Sequence, residues 1–349
     1  MSGRPSRRGA RAYAEAGVDL AAADAARERI GAAVAGTRTA LAVGRIGAFG
    51  AMVRLPSGMR KPTLVLSTDG VGTKVLVALQ AGRFDTVGED LVNHSVNDIL
   101  VHGATPIAFM DYLAGAGLGV EQIAGLVEGI ARGCRAHDMF LAGGETAQMP
   151  GLYQRGTYDL AGTIVGVVEE DRALHGDAIE PGDVLLGYAS TGLHTNGYTL
   201  ARQIVFDHLG LDLDDPLGST GGTVADALLA VHRTYFRSVM PVIDRIHGLA
   251  HITGGGIPGN LVRILPPGCM AVVDPDSWDL PPLFHTLQHA GRISSEEMRD
   301  VFNLGVGLIA VLPSAAVPAV QAVAAADEVA TWRMGVIREG SPAVRFARP

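Results

Sequence analysis

The sequence predicts a mixed α/β protein of two domains, and three features carry that prediction. At 349 residues the chain exceeds what one ordinary core organises, so two domains of roughly 150–200 residues each are expected. Short apolar runs of strand character alternate along it with longer segments whose apolar positions recur every three or four residues. Between two such strand-like runs, 169–182 is charged and ends in Pro181-Gly182, which places a boundary between domains 1–171 and 172–349.

In the first domain, 63–68 reads as a buried strand that ends in the turn Asp69-Gly70-Val71-Gly72-Thr73-Lys74. A helix follows. Thr86 with Glu89 three residues later forms a capping-box pattern, Val87, Leu91, Ser95 and Ile99 mark one face, and Gly103 is the expected stop. Asn93, His94, Asn97 and Asp98 form a polar stripe elsewhere on that helix, for which a solvated face is the simplest reading. Strands are expected at 107–113, 139–142 and 158–168, with a helix over 120–134 whose apolar positions are Ile123, Leu126, Val127, Ile130 and Ala131. Gly44, Gly47 and Gly50 bracket Ile46 and Phe49 in a loop that fits a hairpin better than a mobile lid. The second domain restarts with a strand at 183–189 and a helix at 196–209, and then strands near 270–273, 305–312 and 334–337 alternate with helices near 281–291 and 315–326.

Composition narrows the function. Hydrophobic residues make up 48% and charged residues 18%, no apolar run approaches a membrane helix, and no apolar stretch follows the arginines of the first eleven residues. A net charge of −8 argues against broad binding to nucleic acid or to an anionic membrane. Cys134 and Cys269 sit among apolar residues, so neither a disulfide framework nor a cysteine metal cage is expected, and a cytoplasmic location fits. Of the 28 basic residues only Lys61 and Lys74 are lysines, which draws attention to Lys74 in its glycine-rich turn.

Asp69 to Lys74 brings a carboxylate, unobstructed backbone N–H groups and an ammonium together, a combination suited to a metal-bound phosphate, although glycines in a tight turn also explain it. The spacing is not that of a Walker A loop. His94 and Asp98 share a helix face, and the carboxylate could complete a Mg²⁺ site. Gly143-Gly144-Glu145-Thr146 reads as a second strand opening into a glycine turn that carries a carboxylate. Further on, Gly192 to Gly197 joins a strand to a helix start that suits an anion, and His251 precedes Thr253-Gly254-Gly255-Gly256, where backbone can approach a ligand. Taken singly, His194 and His251 are as well explained by structural roles.

In this order the motifs resemble the phosphoribosylformylglycinamidine cyclo-ligase (aminoimidazole ribonucleotide, or AIR, synthetase) family over nearly the whole chain. The landmarks are Tyr13 with Ala16-Gly17-Val18-Asp19, 68–74, Val96-Asn97-Asp98, Gly143 to Ala147 with Met149-Pro150-Gly151, 192–198, 251–256, and Phe302-Asn303 with Gly305-Val306-Gly307. The resemblance implies a homodimer formed by N-terminal mixed sheets, a C-terminal α/β sandwich, and ATP- and Mg²⁺-dependent ring closure of formylglycinamidine ribonucleotide to aminoimidazole ribonucleotide in purine biosynthesis. It implies that Asp69, Asp98 and Glu145 are metal ligands, and that Gly70, Gly72, Thr73, Lys74, Gly143, Gly144 and Glu145 bind ATP. It implies that Asn196, Gly254, Gly255 and Gly256 bind substrate and that Asp98, His194 and His251 serve catalysis. Gln148 stands where the family usually has glutamate, so no acid/base role attaches to it, and the helix expected near 27–36 lacks a lysine.

Two other readings remain. A sister kinase, such as a thiamine-phosphate kinase, or a selenophosphate synthetase shares the plan, but those proteins usually show aspartate at the position of His251, and no cysteine precedes Cys134. A nucleotide-binding regulator that lost the chemistry is a different class, and the presence of Asp69, Lys74, Asp98, Glu145 and both histidines argues against it.

Overall fold

The computed structural model describes residues 30–44 and 49–347. The landmark at Tyr13 and Ala16 to Asp19, the start of the helix expected near 27–36, and residues 45–48 of the glycine loop lie outside the described residues. Two compact units emerge, each discontinuous in sequence: one within 1–58, 66–95 and 106–165, the other within 59–65, 96–105 and 166–349.

The first unit begins with a short hairpin in which β1 (Ala42–Val43) pairs antiparallel with β2 (Met52–Val53), so the flanks of the Gly44–Gly50 loop are those of a hairpin. Then come β3 (Pro62–Gly70), α1 (Lys74–Ala81), α2 (Asp85–Leu100), β4 (Thr105–Gly115), α3 (Val120–Ala136), β5 (Phe140–Gln148) and β6 (Tyr158–Glu169). The four long strands form one sheet in the order β3-β6-β4-β5. The predicted apolar positions of α3, Ile123 to Ala131, are all buried.

The helix expected after Lys74 is α2, but its predicted start needs correction. It begins at Asp85, one residue before Thr86, so Thr86 is already inside the helix and cannot cap it. Glu89 turns instead to α3, where its carboxylate accepts from Arg132 Nε at 2.7 Å, and Asp85 accepts from Arg132 Nη2 at 3.1 Å. The other end is as predicted. Gly103 adopts φ 72°, its N–H donates to Leu100 O at 2.7 Å, and the Ala104 N–H reaches back to Ile99 O at 3.2 Å, the paired bonds of a Schellman stop.

The second unit contains β7 (Val184–Ala189), α4 (Tyr198–Arg202), α5 (Val224–Leu228), α6 (Phe236–Val239), β8 (Gly248–His251), α7 (Gly256–Leu261) and β9 (Cys269–Val273). It continues with α8 (Pro282–Gly291), α9 (Ser295–Val301), β10 (Val306–Leu312), α10 (Val317–Ala326), β11 (Thr331–Glu339) and β12 (Val344–Phe346). The sheet order is β12-β9-β11-β7-β10-β8, antiparallel except for β12 beside β9. β10 is buried along its whole length, because both faces of the sheet are covered. Leu308, Ala310 and Leu312 pack with Tyr188, Tyr235 and Val320 on one side, while Ile309 and Val311 pack with Leu185, Ile257 and Leu261 on the other. The helix predicted over 196–209 is only α4 at first and then widens into a π-helical stretch, Gln203–His208.

Cys134 and Cys269 are free and buried, and no helix among the described residues is long and apolar enough to cross a membrane.

Candidate functional site

In the first unit, Asp69 stands near the end of β3 with its carboxylate partly in solvent. Its Oδ1 accepts the Gly70 N–H at 2.7 Å and its Oδ2 lies 2.8 Å from His94 Nε2, yet 46% of the side chain remains exposed. The chain turns through Val71, left-handed Gly72 (φ 71°) and Thr73, the N-cap of α1, so the motif is a strand end feeding a helix start.

Lys74 is not presented as the sequence led one to expect. It is the first residue of α1, its side chain is 0% exposed, and Nζ lies 2.7 Å from Asp90 Oδ2, itself 0% exposed. Burial pushes the ammonium below the usual lysine range against the opposing pull of Asp90. A lysine enclosed in this way ties α1 to α2 through Asp90.

The glycine turn expected at 143–146 is also corrected. Gly143, Gly144 and Glu145 lie within β5, paired in parallel with Met110, Asp111 and Tyr112, and the ladder absorbs one extra residue between Leu141 and Gly143. Sequence alone favours a turn for Gly-Gly, but the neighbouring strand supplies backbone partners as far as Gln148. Gly144 and Glu145 remain exposed on that strand. Gln148 bonds locally, its Oε1 accepting the Gly117 N–H at 3.0 Å.

The polar stripe of α2 is not a solvated face. Asn93, His94 and Asn97 are buried, and Asp98 is partly so. The end of α2 from Val96 onward belongs to the second unit, where Asp98 Oδ1 lies 2.8 Å from His251 Nδ1 at the end of β8, bringing together two residues picked from separate motifs. Asn97 is held in one orientation: its Oδ1 accepts the Tyr235 N–H at 3.0 Å and its Nδ2 donates to Arg233 O at 2.8 Å.

A third histidine joins them. His232 is 0% exposed, its Nε2 is 3.2 Å from His251 Nε2, and its Nδ1 is 3.3 Å from Thr195 Oγ1. His194 stacks on it with ring centroids 3.9 Å apart and accepts the Thr191 N–H at Nε2. His194 holds φ 61°, a left-handed backbone uncommon for a residue with a side chain. The close approach of β10 makes room for this cluster. A Cβ on Gly307 would lie 1.9 Å from Tyr235 Oη and 2.5 Å from His194 Cε1, so only glycine fits.

The side chain of Asn196 ends close to Gly254, whose Cβ, if present, would be 3.5 Å from Asn196 Oδ1. The buried Asn196 Nδ2 has no acceptor among the described residues, which leaves an amide N–H for a ligand. The loop 253–256 is shaped by Asn260, whose Nδ2 donates to Gly256 O at 2.8 Å and to Gly254 O at 3.2 Å. At Gly256 packing also demands glycine, because a Cβ there would sit 1.8 Å from Arg299 O.

Sequence reasoning missed His232, Tyr235 and Asn260. His232 and Tyr235 stand in no glycine-rich or evenly spaced motif, Asn260 lies just past the glycines at 254–256, and the loop carrying His232 becomes informative only when it meets the ends of β8 and α2.

Comparison with known proteins follows the same two-part division. Residues 48–168 match the family described as "AIR synthase related protein, N-terminal domain", and residues 180–346 match "AIR synthase related protein, C-terminal domain". The chain is 46% identical to the phosphoribosylformylglycinamidine cyclo-ligase of Sorangium cellulosum, over 93% of this chain and 94% of that protein. It is 45% identical to the protein of that name from Thermosynechococcus vestitus, over 94% of this chain and 97% of the relative. Among solved structures, thiamine-monophosphate kinase from Stenotrophomonas maltophilia superposes with TM-score 0.65 at 18% identity, covering 92% of this chain and 95% of the kinase. The E. coli hydrogenase maturation protein HypE gives 0.62 at 16%, covering 90% and 91%. At these identities the two structures speak to the fold alone.

Proposed function

We propose, from the premise that this chain belongs to the phosphoribosylformylglycinamidine cyclo-ligase family, that it closes the imidazole ring of aminoimidazole ribonucleotide at the expense of ATP. The observation that carries the reading is the 46% identity to a protein of that name across 93% of the chain. The reaction consumes formylglycinamidine ribonucleotide and ATP and yields aminoimidazole ribonucleotide, ADP and phosphate. An amide oxygen is a poor leaving group. Its phosphorylation by ATP lets a substrate nitrogen attack the same carbon, and the oxygen departs with the phosphate.

The residues suit this chemistry. Gly72 offers a backbone N–H group beside Gly70 at a strand end, Thr73 opens α1, and Gly143 and Gly144 keep β5 free of side chains; these are the groups we assign to ATP. Asp69, Asp98 and Glu145 are hard oxygen donors that retain exposure, which is the donor set Mg²⁺ takes, and we assign them to that ion. When bound, Mg²⁺ would neutralise charge on the phosphates. Asn196 would donate its unclaimed amide N–H to the substrate, with Gly254 and Gly255 alongside, and His194 and His251 would serve the phosphorylated substrate or its protons.

The open face of the first sheet supports a homodimer. Leu66 is 64% exposed, Tyr112 41% and Met110 40%. Thr68 and Thr163 hydroxyls meet at 2.7 Å on the same side as Leu66, whereas a Cβ on Gly162 would strike Phe109 on the opposite side. The exposed apolar residues therefore share one face, which suits a second copy of the chain. A cytoplasmic location accords with a nucleotide-dependent reaction and with two free, buried thiols.

Purified protein incubated with formylglycinamidine ribonucleotide, ATP and Mg²⁺ should form ADP and the aminoimidazole in equal amounts. ADP formation with thiamine phosphate, and none with the amidine, would move the chain to the kinase branch. Nucleotide binding without turnover of either would favour a regulator.

A further inference from the structure

We infer that His232 is a positioning residue: together with His251 it forms a buried hydrogen-bond string that runs from Thr195 and ends on the carboxylate of Asp98, fixing its orientation. The inference rests on the ring-closure reading for its kinetic test alone.

Donor and acceptor chemistry fixes the end of the string. A carboxylate accepts, so the 2.8 Å contact between His251 Nδ1 and Asp98 Oδ1 places a proton on His251 Nδ1. His232 Nε2 faces both His251 Nε2 at 3.2 Å and the Asn97 amide Nδ2 at 3.3 Å, and its Nδ1 faces the Thr195 hydroxyl at 3.3 Å. These contacts hold both rings in place, and the bonds of such a chain reinforce one another in a buried setting.

Three surrounding contacts keep the His232 ring where the string needs it. His194 lies flat against it, with an interplanar angle of 22°. Asn97 is locked by Tyr235 N–H and Arg233 O, and its Nδ2 lies 3.3 Å from His232 Nε2. Tyr235 in turn packs against Tyr188 and donates to Ala189 O at 3.0 Å.

A transition-metal centre is the competing use of the same histidines, since ligand atoms of His194, His232 and His251 lie within 4.8 Å of one another. The geometry disfavours it. Ring lone pairs lie in the ring plane, so two stacked rings direct them nearly parallel rather than at one ion. His194 Nε2 already accepts a backbone N–H, which leaves its proton on Nδ1.

The consequence is that His251 acts on Asp98 through its Nδ1 while its Nε2 faces another protein group. Removing the second histidine should therefore disturb Asp98 without touching the nucleotide residues of the first unit.

The test compares His232→Phe, which keeps a ring beside His194 but makes no hydrogen bond, with His232→Gln, whose amide can still hydrogen-bond to His251 Nε2. For His232→Phe we expect kcat to fall roughly tenfold to a hundredfold, the range seen when a group that orients a catalytic ligand is lost. KM for ATP should stay within about twofold, and His232→Gln should recover activity to within about threefold of the parent protein. In protein labelled with ¹⁵N-histidine, the Nε2 resonance of His251 should shift in His232→Phe and return in His232→Gln. This readout needs no activity, so a parent protein lacking ring closure would sink the functional reading and leave the string testable. An unshifted His251 signal in His232→Phe overturns the inference, as does equal impairment of both variants when both are folded. Binding of one equivalent of Zn²⁺ that is lost in His232→Phe also overturns it.

Discussion

The buried pair of Lys74 and Asp90 makes a prediction opposite to the one its motif invites. A lysine in a glycine-rich turn beside an aspartate points to a phosphate ligand, whose loss would cost nucleotide affinity and little stability. The structure encloses both charges at 0% exposure with Nζ 2.7 Å from Oδ2. Replacing Lys74 by Met takes the opposing charge from the buried Asp90 carboxylate, and replacing Asp90 by Leu takes it from an ammonium whose protonation burial already disfavours. Breaking one side of such a pair costs about 3–5 kcal/mol, whereas exchanging both partners for apolar residues is near neutral. With a urea slope of about 3 kcal/mol per molar, each single variant should unfold about 1 to 1.7 M earlier than the parent, and the combined Lys74→Met, Asp90→Leu variant should recover most of that loss. Urea unfolding of the four proteins measures the coupling directly, and ATP binding to the combined variant should stay within a few fold of the parent. Lys74→Met that unfolds normally but loses ATP binding would refute the reasoning.

Other consequences are equally specific. Gly307→Ala forces Tyr235 and His194 from a backbone that a Cβ would approach to 1.9 and 2.5 Å, so kcat should fall about tenfold to a hundredfold in a steady-state assay while the fold survives by circular dichroism. Burial pushes the Asp111 carboxyl up to about 7, against the weaker effect of a hydrogen bond from its own backbone. The folded protein therefore holds that proton above the pH where the unfolded chain, with a carboxyl near 3.9, releases it. The stabilisation is complete below about pH 4 and is lost as pH rises to about 7, amounting to about 2–4 kcal/mol, and Asp111→Asn should flatten this slope in denaturant titrations across that range. Leu66→Glu combined with Tyr112→Glu puts charge on the open apolar face of the first sheet, and sedimentation should then report a monomer where the parent is a dimer.

Much of this architecture was legible because local pattern and tertiary structure agree. The apolar stripe of α3 and the Gly103 stop of α2 depend on short-range periodicity and backbone conformation, which sequence carries directly. Failures occurred where a distant strand or charge decided the outcome. Gly143 and Gly144 look like turn formers until β4 offers them a ladder, and Thr86 looks like a cap until Arg132 draws Asp85 and Glu89 to α3. The stripe of Asn93, His94, Asn97 and Asp98 resembles a wet helix face because sequence shows polarity but not what it meets. Its meaning emerged only from the contact of Asp98 with His251, which are 153 residues apart.

The most direct test of the account follows the substrate's own amide oxygen. Formylglycinamidine ribonucleotide labelled with ¹⁸O at the formyl carbonyl, incubated with the protein, ATP and Mg²⁺, should pass its label to inorganic phosphate as the aminoimidazole forms. Ring closure by this protein with unlabelled phosphate, or phosphate release without the aminoimidazole, would contradict it.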